Sequence, residues 1–523
     1  MGILANIKPS SRLNFISNLI GFLFTYSISF FLSPYIVGLL GEESYGFVSL
    51  AQNFTNYISV ATVALNSMAS RFISIALYEN DIDKAKRYYT SVIIANSIIT
   101  AILVVPCTIL IWKLEYIISI PTALIVDVKI LFAIIFSGFF ITLLTSLFSV
   151  GVFVENKLYL NAIHNIEAAV LQLILTVLLF KLFPANVIFI GITTVAVSLY
   201  RIIWQGYYLK KFQPFLKVDK KCFDKSRITE LLKAGSWSLV GQLSYFMNSG
   251  FDLLLANEFV SSSAMGVLAI SATLPAIIRS IFSSVSTSFT PDLTKLYAEH
   301  RYYEMSVEVK KSFRLMNLVL IVPLAGLTIF GADFYALWQP TQDANQLHIL
   351  STIKVFTLVF TAGLASVHEI FTIANKLKAQ SLATLVSGIC NIIAVLIIVN
   401  TTDLGIIAIA GVPVVMDLIR NFAFTIPYAS KCIQQKPRAL YSLVLKAFLI
   451  YCGICALYYC VRVFIFTPTT WFGLITVAGI CGIIGFGLVM CCIYGVRGSI
   501  QLITKLRMKI KFKKQKKEND LNE

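Results

Sequence analysis

Long apolar stretches separated by short polar breaks dominate the chain. Each stretch has about 20 residues or more, the length that an α-helix needs to cross the hydrocarbon core of a bilayer. The pattern predicts an all-α polytopic membrane protein with about 14 transmembrane helices. The predicted spans are 13–38, 45–70, 90–112, 124–148, 159–182, 185–208, 234–259, 264–291, 312–332, 347–373, 379–400, 404–429, 441–466 and 470–496.

The distribution of charged residues predicts the orientation of the chain in the membrane. The chain is 57% hydrophobic and 13% charged, with a net charge of +17. Its Lys and Arg residues cluster in alternate breaks, and only Lys113, Lys129, Lys181 and Arg462 fall at the opposite edge. The positive-inside rule therefore predicts that both termini are cytoplasmic. The positive charge then indicates contact with anionic phospholipid at the basic loops and tail, and no nucleic acid.

Two halves of the chain are weakly similar. Residues 45–51 and 265–271 open spans 2 and 8 with the same order of large and small side chains, and a charged cytoplasmic loop follows each span. Chance similarity between apolar helices is the alternative. Since six spans per half is an even number, the halves would form a parallel pseudo-repeat. The predicted parts are an N-terminal six-helix lobe (1–208), a basic cytoplasmic inter-lobe loop (209–233), a C-terminal six-helix lobe (234–430), two extra transmembrane helices (431–496) and a basic cytoplasmic tail (497–523).

Polar side chains recur at helical spacing in the first two spans of each half. Polar groups are costly in hydrocarbon and usually face a bundle interior or a water-filled cavity. Ordinary helix packing is the alternative, above all for serine. We expect a substrate cavity lined by Asn14, Asn18, Gln52, Asn56, Gln242, Asp252, Arg279, Ser283 and Lys354.

Arg279 is the most informative of these residues. It lies near the middle of span 8, where a cation costs about 3 kcal/mol or more unless it is paired or hydrated. A structural salt bridge to Asp252 is one interpretation. Contact with an anionic cargo is the other, because guanidinium binds phosphate in a bidentate manner. Lys354 in span 10 is a second intramembrane cation.

Other ionisable residues within the spans are candidates for carrying protons or ions during transport. Interface hydrogen bonding is the alternative for each of them. Asp417 and Arg420 are three residues apart on one helix and are expected to neutralise each other. The coupling candidates are His164, Glu167, His368 and Glu369.

Motifs for catalysis are missing from the sequence. The pattern G-x-x-x-x-G-K-[ST] does not occur, so a P-loop mechanism of ATP hydrolysis is excluded. Neither a metal-ligand cluster nor a nucleophile motif stands out, and no cofactor is expected. The sequence therefore predicts a secondary transporter rather than an enzyme.

Short motifs accompany the plan of six, six and two spans. These motifs are residues 14–18, 34–41, 45–46, 76–79, 84–85 and 155–157. In its plan and motifs, the chain resembles the polysaccharide-transporter branch of the multidrug/oligosaccharidyl-lipid/polysaccharide (MOP) exporter superfamily. It looks most like the Wzx-type flippases of O-antigen repeat units.

The resemblance implies a V-shaped pair of lobes, with spans 1, 2, 7 and 8 along the cleft, in a bacterial cytoplasmic (inner) membrane. The implied cargo is an undecaprenyl-diphosphate-linked oligosaccharide, moved from the inner to the outer leaflet by alternating access. It would serve the biosynthesis of lipopolysaccharide O-antigen or another surface polysaccharide, with polymerase machinery as a partner. Asn and Gln would bind sugars, Arg279 or Lys354 the diphosphate, and the two extra helices the lipid tail.

Three alternatives to a flippase are open. A MATE-like multidrug or small-solute cation-coupled antiporter shares the fold, although such exporters usually stop at twelve spans. A polysaccharide polymerase or ligase usually needs a long outer loop, and the outer breaks here are short. A scaffold for glycan synthesis would tolerate the loss of every cavity residue. The small number of central cations favours a neutral or mildly charged repeat unit, and the coupling ion is left open.

Overall fold

The protein is described by a computed structural model over residues 9–286, 289–374, 376–465 and 467–522. Within these ranges, the side chains of residues 9–13, 15–16, 19, 281–286, 291 and 499–522 lie outside the description. The basic tail is thus mostly outside it. The described residues form helices joined by short connections, without a strand. The predicted all-α class is confirmed.

Twelve helical stretches in the described part of the chain are long and apolar enough to cross a membrane. The first of them contains two spans, because Gly41 interrupts it with a φ of 78°. This left-handed conformation favours glycine, which has no Cβ atom. Residues 225–259 are less apolar but also helical, as predicted for span 7. With that break and this segment, a helix lies at the position of each of the fourteen predicted spans, and the chain is a multi-pass membrane protein.

One compact unit consists of Met1–Thr273 and Leu377–Met416. It contains spans 1 to 7, the first part of span 8, span 11 and the first part of span 12. A π-helical turn, Phe246–Gly250, lies within span 7. The α-helices are Pro9–Tyr78, Ile82–Trp112, Ile125–Leu144, Val150–Val154, Tyr159–Leu182, Ile188–Phe212, Lys225–Tyr245, Asp252–Phe259, Ser262–Ser271, Leu377–Thr401 and Ile406–Arg420, which ends in the other unit.

The other unit consists of Leu274–Lys376 and Asp417–Glu523. It contains the rest of spans 8 and 12, and spans 9, 10, 13 and 14. A second π-helical turn, Asn421–Thr425, lies within span 12. The α-helices are Thr273–Ser286, Thr290–Ala298, Tyr302–Trp338, Ala344–Thr361, Ala365–Ile373, Ile426–Cys432, Arg438–Phe464 and Trp471–Asn522, which is interrupted at Gly495.

The two extra helices are tied to this second unit. Tyr458 of span 13 is buried in a core shared by spans 9, 10, 13 and 14. Arg462, near the end of span 13, forms an ion pair with Asp333 of span 9 at 2.8 Å. Large apolar side chains such as Phe472 and Ile483 are about four-fifths exposed. Such exposure suits contact with lipid.

The two segments that suggested the internal repeat lie against each other. They are residues 45–51 of span 2 and residues 265–271 of span 8. A Cβ atom added to Gly46 would lie 2.9 Å from the Cα atom of Gly266. One added to Gly266 would lie 2.2 Å from the carbonyl oxygen of Glu42. Small residues permit this close approach of helix backbones in membranes, so the repeat-related glycines form a contact between the halves of the sequence.

Hydrogen bonds surround this glycine contact. Ser262 donates to a carboxylate oxygen of Glu43 at 3.0 Å, and Ser263 donates to Glu42 at 3.1 Å. Acceptors that carry a charge make such bonds stronger than neutral ones. The beginning of span 8 is therefore bonded to the beginning of span 2, at the ends that the predicted topology assigns to the outer face.

A second connection lies at the end of span 7. The backbone N–H of Ser119, in the loop after span 3, donates to Asn257 Oδ1 at 2.7 Å and to Glu258 Oε1 at 2.9 Å. Asn257 Nδ2 donates back to the carbonyl oxygen of Ser119 at 3.0 Å. A loop of the first half of the sequence and a helix of the second half are thereby joined at the same predicted face.

The basic inter-lobe loop packs on the beginning of span 3. The N–H of Asp224 donates to Ser91 Oγ at 2.9 Å. The hydroxyl of Tyr88 donates to Glu230 at 2.7 Å, and Arg227 donates to the same carboxylate at 3.1 Å. These bonds fix the loop at the beginning of span 3.

We expect the variant Gly266→Ala to lower the thermal stability of the protein. The added methyl group would overlap the carbonyl of Glu42, and overpacking of this kind costs about 1–3 kcal/mol. The matched control is Gly241→Ala, another helical glycine, where a Cβ atom meets nothing within 4 Å. Thermal unfolding of the two purified variants in detergent measures the difference. Equal midpoints would contradict the proposed role of the contact.

Candidate functional site

Asn14 bonds the first span to the turn before span 5. Its Nδ2 donates to the carbonyl oxygen of Asn156 at 2.8 Å and to the side-chain oxygen of Asn156 at 2.9 Å. The N–H of Tyr159 donates to Asn14 Oδ1 at 2.9 Å. Asn156 has a φ of 53°, a conformation that asparagine tolerates. Asn14 thus positions span 5, and it is not among the side chains that we propose to contact the cargo.

The remaining predicted amides of the first unit are more accessible. Asn18 of span 1 and Gln52 and Asn56 of span 2 have exposed side chains, and Gln242 of span 7 is partly exposed. Gln52 and Asn56 are four residues apart, so they lie on one face of their helix. Amides of this kind offer both donors and acceptors to a ligand.

Tyr57 connects span 2 with span 7 beside the predicted residue Asp252. Its hydroxyl donates a short hydrogen bond to the carbonyl oxygen of Gly250, in the π-helical turn. Its ring packs 5.0 Å from that of Phe251 and 5.3 Å from that of Phe246. Asp252 is buried and acts electrostatically on the Tyr57 hydroxyl. Tyr57 was not predicted from the sequence, although it directly follows the predicted residue Asn56.

His164 and Glu167 form one cluster with aromatic residues of span 6. His164 Nδ1 lies 2.6 Å from Glu167 Oε2, and His164 Nε2 lies 3.0 Å from the Tyr208 hydroxyl. Tyr200 donates a short hydrogen bond to Glu167, and the His164 ring stacks on Trp204 with 4.4 Å between centroids. The aromatic residues were not predicted. Their spacing of four residues along span 6 was the available evidence in the sequence.

In the second unit, the two predicted cations are neighbours. Arg279 Nη2 donates to the backbone carbonyl of Lys354 at 3.0 Å. The side chain of Arg279 is exposed, and that of Lys354 is partly buried. The bond joins span 8 at Arg279 to span 10 at the backbone of Lys354. The side chain of Ser283 lies outside the described residues, and the salt bridge between Arg279 and Asp252 stays a prediction.

His368 and Glu369 lie near the inner end of span 10 and are both partly buried. His368 interacts with Asn421, at the beginning of the π-helical turn of span 12. In the same helix, Asp417 and Arg420 form a short ion pair, as predicted from their spacing. His368 is therefore next to a neutralised pair of charges. Among the described residues, no group of three His, Cys, Asp or Glu side chains is arranged to hold a metal ion.

Similar proteins and structures agree with the fold. A protein of Bacillus subtilis (strain 168), "Uncharacterized membrane protein EpsK", is 28% identical over 419 residues, which cover 80% of this chain and 83% of that protein. The structure of the lipid II flippase MurJ in an inward closed conformation matches with a TM-score of 0.70 and 15% identity, over 93% of this chain and 98% of MurJ.

A multidrug resistance transporter of the MATE family and the MOP superfamily, in an inward-facing conformation, has a similar fold. It matches with a TM-score of 0.64 and 15% identity, over 80% of this chain and 95% of that transporter. The family described as "Polysaccharide biosynthesis protein" matches residues 11–297, which is more than half of the chain. The chain therefore has the same fold as these two solved structures and belongs to this polysaccharide biosynthesis family.

Proposed function

We propose that the protein is a flippase that moves an undecaprenyl-diphosphate-linked oligosaccharide from the inner to the outer leaflet of a bacterial cytoplasmic membrane by alternating access. Membership in a polysaccharide biosynthesis family and likeness in fold to a lipid II flippase support this proposal. The observation that carries it is the hydrogen bond between Arg279 and the backbone of Lys354. The bond brings the guanidinium group of Arg279 to the backbone of the second intramembrane cation.

The two cations suit a diphosphate. A guanidinium group offers paired N–H donors to phosphate oxygens, and an ammonium group adds a second positive charge. Cations within a membrane are costly unless they are paired or hydrated, and the charge of a bound cargo would reduce that cost. We assign the diphosphate to Arg279 and Lys354, with Ser283 as a further candidate from the sequence.

The accessible amides of the first unit suit an oligosaccharide. Sugars present hydroxyl groups that both donate and accept hydrogen bonds, and amides have the same dual capacity. We assign sugar contacts to Asn18, Gln52, Asn56 and Gln242. The buried carboxylate of Asp252, next to Tyr57, is a further candidate. A repeat unit of lipopolysaccharide O-antigen, or of another surface polysaccharide, fits these contacts.

Lipid and protein partners are also proposed. The basic loop 209–233 is bonded to the beginning of span 3, and its lysines and arginines would contact anionic phospholipid at the predicted cytoplasmic surface. The same contact for the basic tail, and the association with polymerase machinery, stay predictions.

For energy coupling, we propose a proton site at His164 and Glu167. The two side chains share a hydrogen bond, and histidine changes its charge near neutral pH. His368 and Glu369 are the alternative proton site. We rank this pair second, because the neighbouring charges of Asp417 and Arg420 neutralise each other.

We expect Arg279→Gln and Lys354→Gln to reduce surface glycan sharply in a strain that depends on this protein. A hydrogen bond to a charged group contributes about 1.5–3 kcal/mol, so cargo affinity would fall about tenfold to a hundredfold. Glycan is measured on intact cells, together with the amount of protein in the membrane. The control is Lys295→Gln, which removes an exposed charge outside the spans.

Two outcomes would contradict this assignment. Wild-type glycan in both variants at normal protein levels would exclude the cations from cargo binding. Unchanged glycan together with altered drug resistance would favour the antiporter over the flippase.

We expect Glu167→Gln to remove the dependence of flipping on a pH gradient. The amide preserves the shape of the side chain but cannot bind and release the proton. Flipping of a fluorescent lipid-linked oligosaccharide in proteoliposomes is measured with and without an imposed gradient. The control is Glu155→Gln, a carboxylate that pairs with Lys157 before span 5. A variant that responds to the gradient as the wild type does would exclude Glu167 as the coupling site.

A further inference from the structure

A small cavity lies in the second unit among spans 9, 13 and 14, away from the proposed cargo contacts within that unit. Its volume is about 50 Å³. A water molecule needs roughly 10–15 Å³ on this measure, so a group of phosphate size fits. The lining residues are Phe313, Arg314, Asn317, Leu443, Lys446, Ala447, Ile450 and Ile493.

Two cations lie on different walls of this cavity. Arg314 belongs to span 9 and Lys446 to span 13, and both side chains are exposed. Within the described part of the chain, neither takes part in an ion pair. Lys311, one turn before Arg314, differs in this respect, because it pairs with Glu308 at 2.8 Å. No carboxylate of the described side chains therefore pairs with the two cations of the cavity.

The remaining lining residues are apolar, except for Asn317. Ala447 is buried, and Phe313 is almost completely buried. The side-chain nitrogen of Asn317 donates to the carbonyl oxygen of Phe313 at 2.9 Å. A cationic pocket with mostly apolar walls suits an anion that is attached to an apolar body.

The position in the membrane indicates which anion this is. Arg314 and Lys446 lie in the first third of spans 9 and 13, and the positive-inside rule predicts that these ends face the cytoplasm. Leu445 and Leu449, on either side of Lys446 in the sequence, are about 60% exposed. Acyl chains can lie along such side chains while a headgroup enters the cavity.

We infer that this cavity is a binding site for the phosphate of an anionic phospholipid of the cytoplasmic leaflet. Arg314 and Lys446 bind the phosphate, and the apolar walls and Leu449 contact the glycerol and acyl chains. The bound lipid joins the extra helices to span 9. This site does not depend on the identity of the cargo.

The test measures stabilisation of the full-length protein in detergent by added lipid. The wild type is unfolded thermally with dioleoylphosphatidylglycerol, with dioleoylphosphatidylcholine, with inorganic phosphate and with undecaprenyl diphosphate. We expect phosphatidylglycerol to raise the midpoint and phosphatidylcholine to have little effect. This comparison needs no variant. Equal effects of the two phospholipids would overturn the inference.

Variants then locate the effect. In Arg314→Gln/Lys446→Gln, the apparent affinity for phosphatidylglycerol should fall on the order of tenfold or more, since two charge-assisted contacts are lost. The charge-preserving variant Arg314→Lys/Lys446→Arg should retain it. The matched control is Lys113→Gln/Lys181→Gln, which removes the same charge from two exposed lysines at the edge of the spans opposite the basic loops. Equal losses in the control would attribute binding to general surface charge and overturn the site.

The other ligands identify the source of the phosphate. Protection by inorganic phosphate at the same concentration would indicate a site for free anions. Preferential protection by undecaprenyl diphosphate, lost in the double variant, would assign the cavity to the cargo. Either result would overturn the phospholipid site, and neither bears on whether Arg279 is needed for flipping.

Discussion

Span 2 approaches the second half of the sequence at three glycines, and this close contact organises the first unit. Gly46 meets Gly266 of span 8, the carbonyl of Ala64 lies against Gly235 of span 7, and Tyr57 bonds the carbonyl of Gly250. Apolar side chains gain little by leaving lipid for each other, so helices in membranes associate through close packing and hydrogen bonds. The repeat-related helices therefore carry glycine where they touch.

Polar groups divide into two sets under this constraint. Some form bonds within the protein. Asn14 bonds the turn before span 5, and Asp417 forms an ion pair with Arg420. Others remain accessible, among them Asn56 and Arg279. Hydrocarbon penalises the second set, and binding of a polar cargo is a physical reason to retain it. Transport chemistry is expected to reside in these accessible side chains.

Patterns within single helices predicted the fold well. Apolar length identified the fourteen spans, and the spacing of Asp417 and Arg420 identified an ion pair. Contacts between helices that are distant in the sequence were harder to predict. Nothing local to Asn14 indicates its bonds to Asn156, and the cavity beside Arg314 requires three helices to pack. The glycine contact was predicted in part. The similarity of residues 45–51 and 265–271 indicated the repeat, but it did not indicate that the two copies touch.

The most direct test of the flippase is the leaflet in which lipid-linked oligosaccharide resides when the gene is deleted. Spheroplasts are treated with a lectin or a glycosidase that cannot cross the membrane, and the accessible fraction is compared with that in complemented cells. The account predicts that the oligosaccharide accumulates on the cytoplasmic side and is protected, and that wild-type protein restores access while Arg279→Gln does not. Full access in the deletion strain would contradict the central claim.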